Sequence, residues 1–207
     1  MMNVLLINGS PNKHGCTYTA LSEVAGALNA NGVETEIFHI GSAPVQDCVA
    51  CGRCRGKEYC VFDGDSVNAC VDLLRNANGL VVGSPVYYAG PTGSVCAFLD
   101  RLFFGKGSQY SYKPAAVVTS CRRAGATATL DRLYKYFSLS GMPIVSSQYW
   151  GMVHGNTPDE VRQDLEGMQI MRTLGNNMAW LIKCIETARG VVPYPQKETR
   201  VSTNFIR

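Results

Sequence analysis

Apolar residues recur along this chain in two alternating rhythms, short unbroken runs and longer windows in which they return every three or four positions. The runs read as strands and the windows as amphipathic helices. The first run, Val4 to Ile7, precedes a window from Thr17 to Asn31 that spaces Leu21, Val24, Ala25 and Leu28 along one helical face and stops at Asn31-Gly32. A second strand, Glu34 to Ile40, leads through a cysteine-rich segment to a helix from about Asp65, with Val67, Cys70, Val71 and Leu74 on one face and Gly79 as its expected C-terminal stop. The third run, Leu80 to Ser84, is continuously apolar, as a strand buried on both faces requires. After the loop Pro85 to Gly90 comes a helix carrying Val95, Leu99 and Leu102, then a fourth strand, Ala115 to Ser120. The next helix, Thr127 to Ser140, carries Leu130, Leu133, Tyr134 and Phe137 and closes at Gly141. A fifth strand is expected from near Ile144, and Thr157-Pro158 opens a last helical region that Gly167 divides in two.

Five strands alternating with five helical regions predict an α/β architecture, a flavodoxin-like doubly wound five-stranded parallel sheet in the order 2-1-3-4-5 with helices on both faces. Residues 1–190 are expected to form this domain, with the cysteine segment at 47–62 as an insertion. Residues 191–207, with Pro193 and Pro195, are expected to form an extended tail able to wrap the body or a neighbouring subunit. A chain of 207 residues that is 46% hydrophobic supports one well-buried core. The net charge of +3 is too small and too scattered to imply a nucleic-acid or membrane partner. The apolar start is broken at once by Asn8-Gly9-Ser10-Pro11, too early for a signal or a membrane span. The expected location is the cytoplasm, where nine cysteines stay reduced or bind metal.

In sheets of this order, ligands sit beyond the carboxyl ends of the strands where the order reverses, so the loops after strands one, three and four should carry the chemistry. The first, Gly9 to Thr19, is rich in small and hydroxylated residues at the start of a helix, which suits a phosphate monoester held by backbone N–H groups and by Ser10, Thr17 and Thr19. An ordinary side-chain-capped turn would use the same residues. The spacing matches neither the dinucleotide glycine fingerprint nor a Walker loop. The second loop sets Pro85, Val86, Tyr87 and Tyr88 at the same edge, where a flat heteroaromatic ring can lie against aromatic rings and backbone amides. The third, Ser120 to Thr127, brings Arg122 and Arg123, which are either solvated charges or a basic wall favouring the anionic, two-electron reduced form of a flavin.

Cys48, Cys51, Cys54 and Cys60 lie between the second strand and the second helix. Two-residue gaps in close succession favour an iron–sulfur cluster over zinc, whose structural sites more often use two pairs separated by a long loop. Zinc and free or redox-active thiols are the alternatives.

The loops Gly9-Ser10-Pro11…Gly15-Cys16-Thr17 and Gly83-Ser84-Pro85-Val86-Tyr87, together with the four-cysteine segment, resemble the iron–sulfur flavoproteins of the NADPH-dependent FMN reductase superfamily, over about Met2 to Gly155. The resemblance implies FMN at the strand ends and a [4Fe-4S] cluster on Cys48, Cys51, Cys54 and Cys60. It implies that Ser10, Asn12, Gly15, Cys16, Thr17 and Thr19 hold the phosphate, and that Pro85, Val86, Tyr87 and Tyr88 with Ser120, Arg122, Arg123 and Gly125 flank the isoalloxazine. Cys16 stands where such loops often carry Asn or Ser, and the four-cysteine segment recurs in relatives described only as FMN reductases.

The expected function is an FMN-dependent oxidoreductase that passes electrons between NAD(P)H or reduced ferredoxin and a small-molecule or protein acceptor, as a homodimer or homotetramer, with the flavin rather than a catalytic side chain carrying the chemistry. The alternatives are a cluster-free NAD(P)H-dependent FMN or quinone reductase and a flavodoxin-like electron carrier. Packing or surface roles are expected for Trp150, His154, His14 and His39, and buried small-hydrophobe roles for Cys70, Cys96 and Cys184.

Overall fold

A computed structural model of the chain describes residues 1–207 apart from Gly105, Arg200, Asn204, Ile206 and Arg207. The elements run β1 (Asn3–Asn8), α1 (Cys16–Ala30), β2 (Glu34–His39), α2 (Val67–Asn76), β3 (Gly79–Pro85), α3 (Gly93–Phe103), a 3-10 turn (Gly107–Tyr110), β4 (Ala115–Cys121), α4 (Ala126–Leu139), β5 (Met152–His154), α5 (Pro158–Gln163) and α6 (Leu165–Ala188). The strands are all parallel, in the order β2-β1-β3-β4-β5. The order reverses between β1 and β3, so the crevice at their carboxyl ends is the switch point of the sheet.

Alternation of side chains along each strand divides the core into two layers. Leu5, Ile7, Leu80, Val82, Ala115 and Val117 pack against α2, α3 and α4 on one face. Val4, Leu6, Val81, Ala116 and Val118 pack against α1, α5 and α6 on the other. β4 is buried along its whole length and β3 along all but its last residue, as their apolar runs require, whereas the edge strand β2 keeps Glu34 and Glu36 in water.

Four expectations are corrected. Ile144 makes only an isolated bridge to Ala115, and the ladder resumes at β5, eight residues later (152 − 144). Val145 N still donates to the Ala115 carbonyl and Gly151 accepts from Thr119 N, but between them the chain turns to α6: Ser147 Oγ donates to the Ile170 carbonyl at 2.7 Å and Asn177 Nδ2 to the Ser146 carbonyl at 2.9 Å, which interrupts the ladder. Gly79 does not stop α2, which ends in extended backbone at Ala77. Gly79 opens β3, where an added Cβ would come within 3.2 Å of the Pro114 carbonyl and of Ile182. The last helical region does divide, but at Asp164, whose carboxylate accepts from Gly167 N at 2.9 Å and caps α6. Cys70 is buried and Cys96 half-buried, but Cys184, also expected to be buried, is exposed, because it falls on the outer side of α6 away from Met178 and Ile182. Of the expected tail, the described residues have no helix or strand, and Tyr194 stacks on Tyr112 with ring centres 4.7 Å apart; positions 200, 204, 206 and 207 lie outside the described residues. Among the described residues no helix is long and apolar enough to cross a membrane.

Candidate functional site

The loop after β1 is shaped from below by Asn8, which the sequence did not single out, and by His39, for which the sequence predicts a packing or surface role. Asn8, fully buried at the end of β1, accepts from Ser10 N at 3.1 Å and donates to the Lys13 carbonyl at 3.0 Å. His39 Nε2 lies 2.8 Å from the Ser10 carbonyl. Ser10 Oγ accepts from Asn12 N at 3.1 Å, which leaves its own proton available to a ligand. At the head of α1 the N-cap is Gly15, and no side chain caps the helix. The first N–H groups of α1 are therefore without the acceptor that a capped turn would supply, and no acidic residue occupies the first turn. Thr92 caps α3, Thr157 caps α5 and Asp164 caps α6, whereas α4, like α1, begins at a glycine, Gly125, without a side-chain cap. An uncapped helix start beside a free hydroxyl is an anion-accepting arrangement.

Thr17 Oγ1 lies 2.9 Å from Ser120 Oγ, both buried, so the first loop and the end of β4 are bonded to each other. One hydroxyl donates to the other, and the pair keeps one proton to give. The Thr19 hydroxyl instead donates to the Gly15 carbonyl at 3.2 Å. Asn12 is exposed at the rim. Cys16 Sγ is 3.7 Å from the Gly155 carbonyl, and burial pushes its thiol up, so it acts as a neutral weak donor.

Close backbone approach fixes the other walls. Gly9 N donates to the Gly83 carbonyl at 2.8 Å, and a Cβ on Gly9 would meet Val95 at 2.6 Å. Thr92 Oγ1 donates to the Gly9 carbonyl at 2.9 Å while Thr92 N donates to Ser84 Oγ at 3.1 Å, locking the start of α3 to the first and second loops. Tyr87 and Gly90 exchange both backbone hydrogen bonds around a two-residue turn in which Tyr88 (φ 50°) and Ala89 (φ 57°) are both left-handed. That conformation strains residues other than glycine, and strain of this kind concentrates at functional sites. Tyr88 is fully exposed and Tyr87 about half exposed, so neither ring packs the loop. Val86 N donates to the Ser120 carbonyl, and Gly125, left-handed at φ 90°, lies against Ala89 and Val86. Arg122 and Arg123 point into solvent on the same edge. The result is a shallow platform with an anion-accepting end, exposed aromatic rings and two cations.

The cysteine segment forms no helix or strand between β2 and α2 and turns through left-handed backbone at Ala50, Gly52 and Gly56. Cys48, Cys51, Cys54 and Cys60 line one small cavity of about 20 Å³ with Phe62, Arg101 and Phe104. Among the described residues no three Cys, His, Asp or Glu side chains converge closely enough to hold a single metal ion. The donor set still suits a thiolate-ligated cluster on two counts. Four cysteines line one space, and buried cations stand beside it: Arg101, a lining residue with a side chain 1% exposed, and Lys106, fully buried and bonded to the Arg101 carbonyl. Arg101 Nε donates to Cys60 Sγ at 3.4 Å. Burial pushes the Cys60 thiol up, but hydrogen bonding from the Phe62 backbone and Arg101 outweighs it and leaves the thiol below its ordinary value, as a thiolate ligand needs. The space is not preformed for a group of cubane size, and the irregular backbone around it is what can adapt.

Arg101 and Lys106 were missed by sequence reasoning, although Arg101 falls between Phe98 and Leu102 on the apolar stripe of α3, where a charge is out of place unless something below or above it needs one. Asn8 and Thr92 left no sequence signal of their own, and Ser84 and His39, which the sequence does mark, act here through the backbone atoms they hold.

A family profile described as NADPH-dependent FMN reductase matches residues 2–157. An iron-sulfur flavoprotein of Methanocaldococcus jannaschii is 27% identical over 193 residues, covering 89% of this chain and all of that protein. Another, from Methanosarcina thermophila, is 25% identical and covers 91% of this chain and 99% of its own length. The crystal structure of RosB with bound 8-demethyl-8-formylriboflavin-5'-phosphate superposes with a TM-score of 0.69 at 15% identity, covering all of this chain and 94% of that one, and shares the fold. On the profile match, the chain belongs to the NADPH-dependent FMN reductase family.

Proposed function

We propose that this chain is an FMN-dependent oxidoreductase that takes electrons from NAD(P)H or a reduced ferredoxin and passes them to an acceptor, with a [4Fe-4S] cluster on Cys48, Cys51, Cys54 and Cys60. The uncapped start of α1 beside Ser10 carries the reading, because it sets a free hydroxyl next to N–H groups without a side-chain cap at the switch point of the sheet. Ser10, Gly15, Cys16 and the Thr17–Ser120 pair would hold the FMN phosphate, with Asn12 at the rim and Thr19 supporting the turn. Pro85, Val86, Tyr87, Tyr88 and Gly125 would flank the ring, and Arg122 and Arg123 would favour its anionic reduced state. FMN, when bound, supplies the exchange between two-electron and one-electron chemistry, so the side chains need only bind, orient and tune. The names of the archaeal relatives support the cluster. The openness of the platform supports a homodimer or homotetramer, in which a second copy would complete the pocket.

A cluster-free reductase is the second reading, favoured by the lack of three converging metal-ligand side chains among the described residues. Visible spectroscopy with iron and sulfide analysis, on protein purified without oxygen, separates the two. Flavin bands with about four irons per chain, the cubane content, support the first reading; flavin without iron leaves the second; no flavin defeats both.

A further inference from the structure

Arg101 belongs to α3, not to the cysteine loop, yet nearly all of its bonding capacity is spent on that loop. Nη1 donates to the Gln46 carbonyl at 3.2 Å and pairs with the Asp65 carboxylate; Nη2 donates to the Phe62 carbonyl at 2.5 Å; Nε donates to Cys60 Sγ. The guanidinium thus grips the segment before Cys48 and after Cys60 at once. Lys106 Nζ in turn donates to the Arg101 carbonyl at 3.3 Å. Two buried cations against the single carboxylate of Asp65 leave an excess of one positive charge beside the cavity (two minus one). A buried cation without a counter-charge is strongly disfavoured, so the arrangement calls for more negative charge than the protein's carboxylates provide there.

We infer that Arg101 is the positioning and charge-compensating residue of the cysteine site, reinforced by Lys106, and that its fixed positive charge makes one-electron reduction there easier. The inference rests on the cluster reading above. One electron enters the iron–sulfur core from a low-potential reductant, dithionite in the test below; no bond forms or breaks and no proton moves, so the site gains one unit of negative charge beside the guanidinium. Arg101 keeps its charge at any working pH, which makes it a constant bias instead of a switch. Removing that charge disfavours the reduced state.

The test uses FMN-loaded protein purified without oxygen, with iron, sulfide and FMN measured per chain and the cluster potential read by dithionite titration followed by electron paramagnetic resonance. Arg101→Gln should lower the one-electron equilibrium constant at least tenfold, about 59 mV, with FMN content unchanged. Arg101→Lys, which keeps the charge but loses the fork, should recover most of that shift while holding iron less firmly. Lys106→Met should move the potential the same way by less. Full iron and an unmoved potential in Arg101→Gln overturn the inference. If Arg101→Gln fails to retain iron, Lys106→Met decides, a fall supporting the inference and an unchanged potential overturning it. Wild-type protein without iron or sulfide defeats the cluster reading itself and the inference with it, an outcome distinct from normal iron with an unmoved potential.

Discussion

Gly125 joins the second and third walls of the platform, and replacing it with alanine tests whether that contact builds the flavin site. Two costs arise at this position. The backbone is left-handed at φ 90°, which costs an L-residue about 1–2 kcal/mol. The new Cβ would also lie 2.7 Å from Ala89 Cα and 2.9 Å from Val86 Cγ1, whereas ordinary contact begins at 3.4 Å, so the loop carrying Tyr87 and Tyr88 must retreat by about 0.7 Å (3.4 − 2.7). Overpacking of that size costs about 1–3 kcal/mol, giving about 2–5 kcal/mol in all. Gly32 provides the control, because it is also left-handed, at φ 74°, but an added Cβ there meets nothing within 4 Å. Gly32→Ala should therefore show the conformational cost alone. Urea unfolding of the apoprotein reads both variants, and fluorescence titration with FMN reads the site. We expect Gly125→Ala to be less stable than Gly32→Ala by about 1–3 kcal/mol and to bind FMN about tenfold more weakly, a loss of about 1.4 kcal/mol, with Gly32→Ala binding normally. Equal destabilisation of the two variants together with normal FMN affinity in both would refute the argument that this contact shapes the site.

Thr17→Val should cost about 1–3 kcal/mol in chemical denaturation by stranding the buried Ser120 hydroxyl, and adding Ser120→Ala should return most of that loss; a strictly additive double variant would contradict the pairing. Cys54→Ala should lower iron per chain sharply while FMN absorbance stays at the wild-type level, because Cys54 lines the cysteine cavity and its thiol bonds to the Phe104 carbonyl, outside the three flavin loops. Limited trypsin digestion should cut at the exposed Arg53, Arg55 and Lys57 in iron-free protein and much more slowly once iron and sulfide are restored, since metal binding and folding of such a loop are coupled; identical cleavage rates would argue against a loop-ordering cluster.

The parts of this molecule legible in the sequence are those that depend on periodicity. The apolar runs at Leu80 and Ala115 and the helical stripes through Leu21 to Leu28 and Leu130 to Phe137 specify which faces are buried, and two buried faces on a parallel sheet leave few topologies. The fifth strand starts later than the apolar Ile144 and Val145 predict, because these residues make a single bridge to β4 and the next ones are drawn to α6 through Ser147 and Asn177, whose partners are distant in sequence. The same distance hid the supports of the site. Nothing local marks the part played by Asn8, Thr92 or His39, whose value lies in the Ser10 and Gly9 atoms they reach.

Helix α3 is what relates the two candidate sites to each other. Its first turn is fastened to the flavin loops, through Thr92 to the Gly9 carbonyl and to Ser84, and its last turn is fastened to the cysteine loop, through Arg101. From Thr92 to Arg101 is nine steps (101 − 92) of about 1.5 Å, so the two anchor points stand about 14 Å apart along a helix whose inner face is fully packed against β1, β3 and the 3-10 turn. A rigid strut of this kind prevents the loops from approaching one another within one chain, and it also prevents them from drifting apart when either is loaded. The same helix that fixes the platform therefore supplies the charge beside the cysteines, which is why an arginine could replace an apolar residue on its buried stripe: the position is structurally the core of the domain and chemically a wall of the cysteine site.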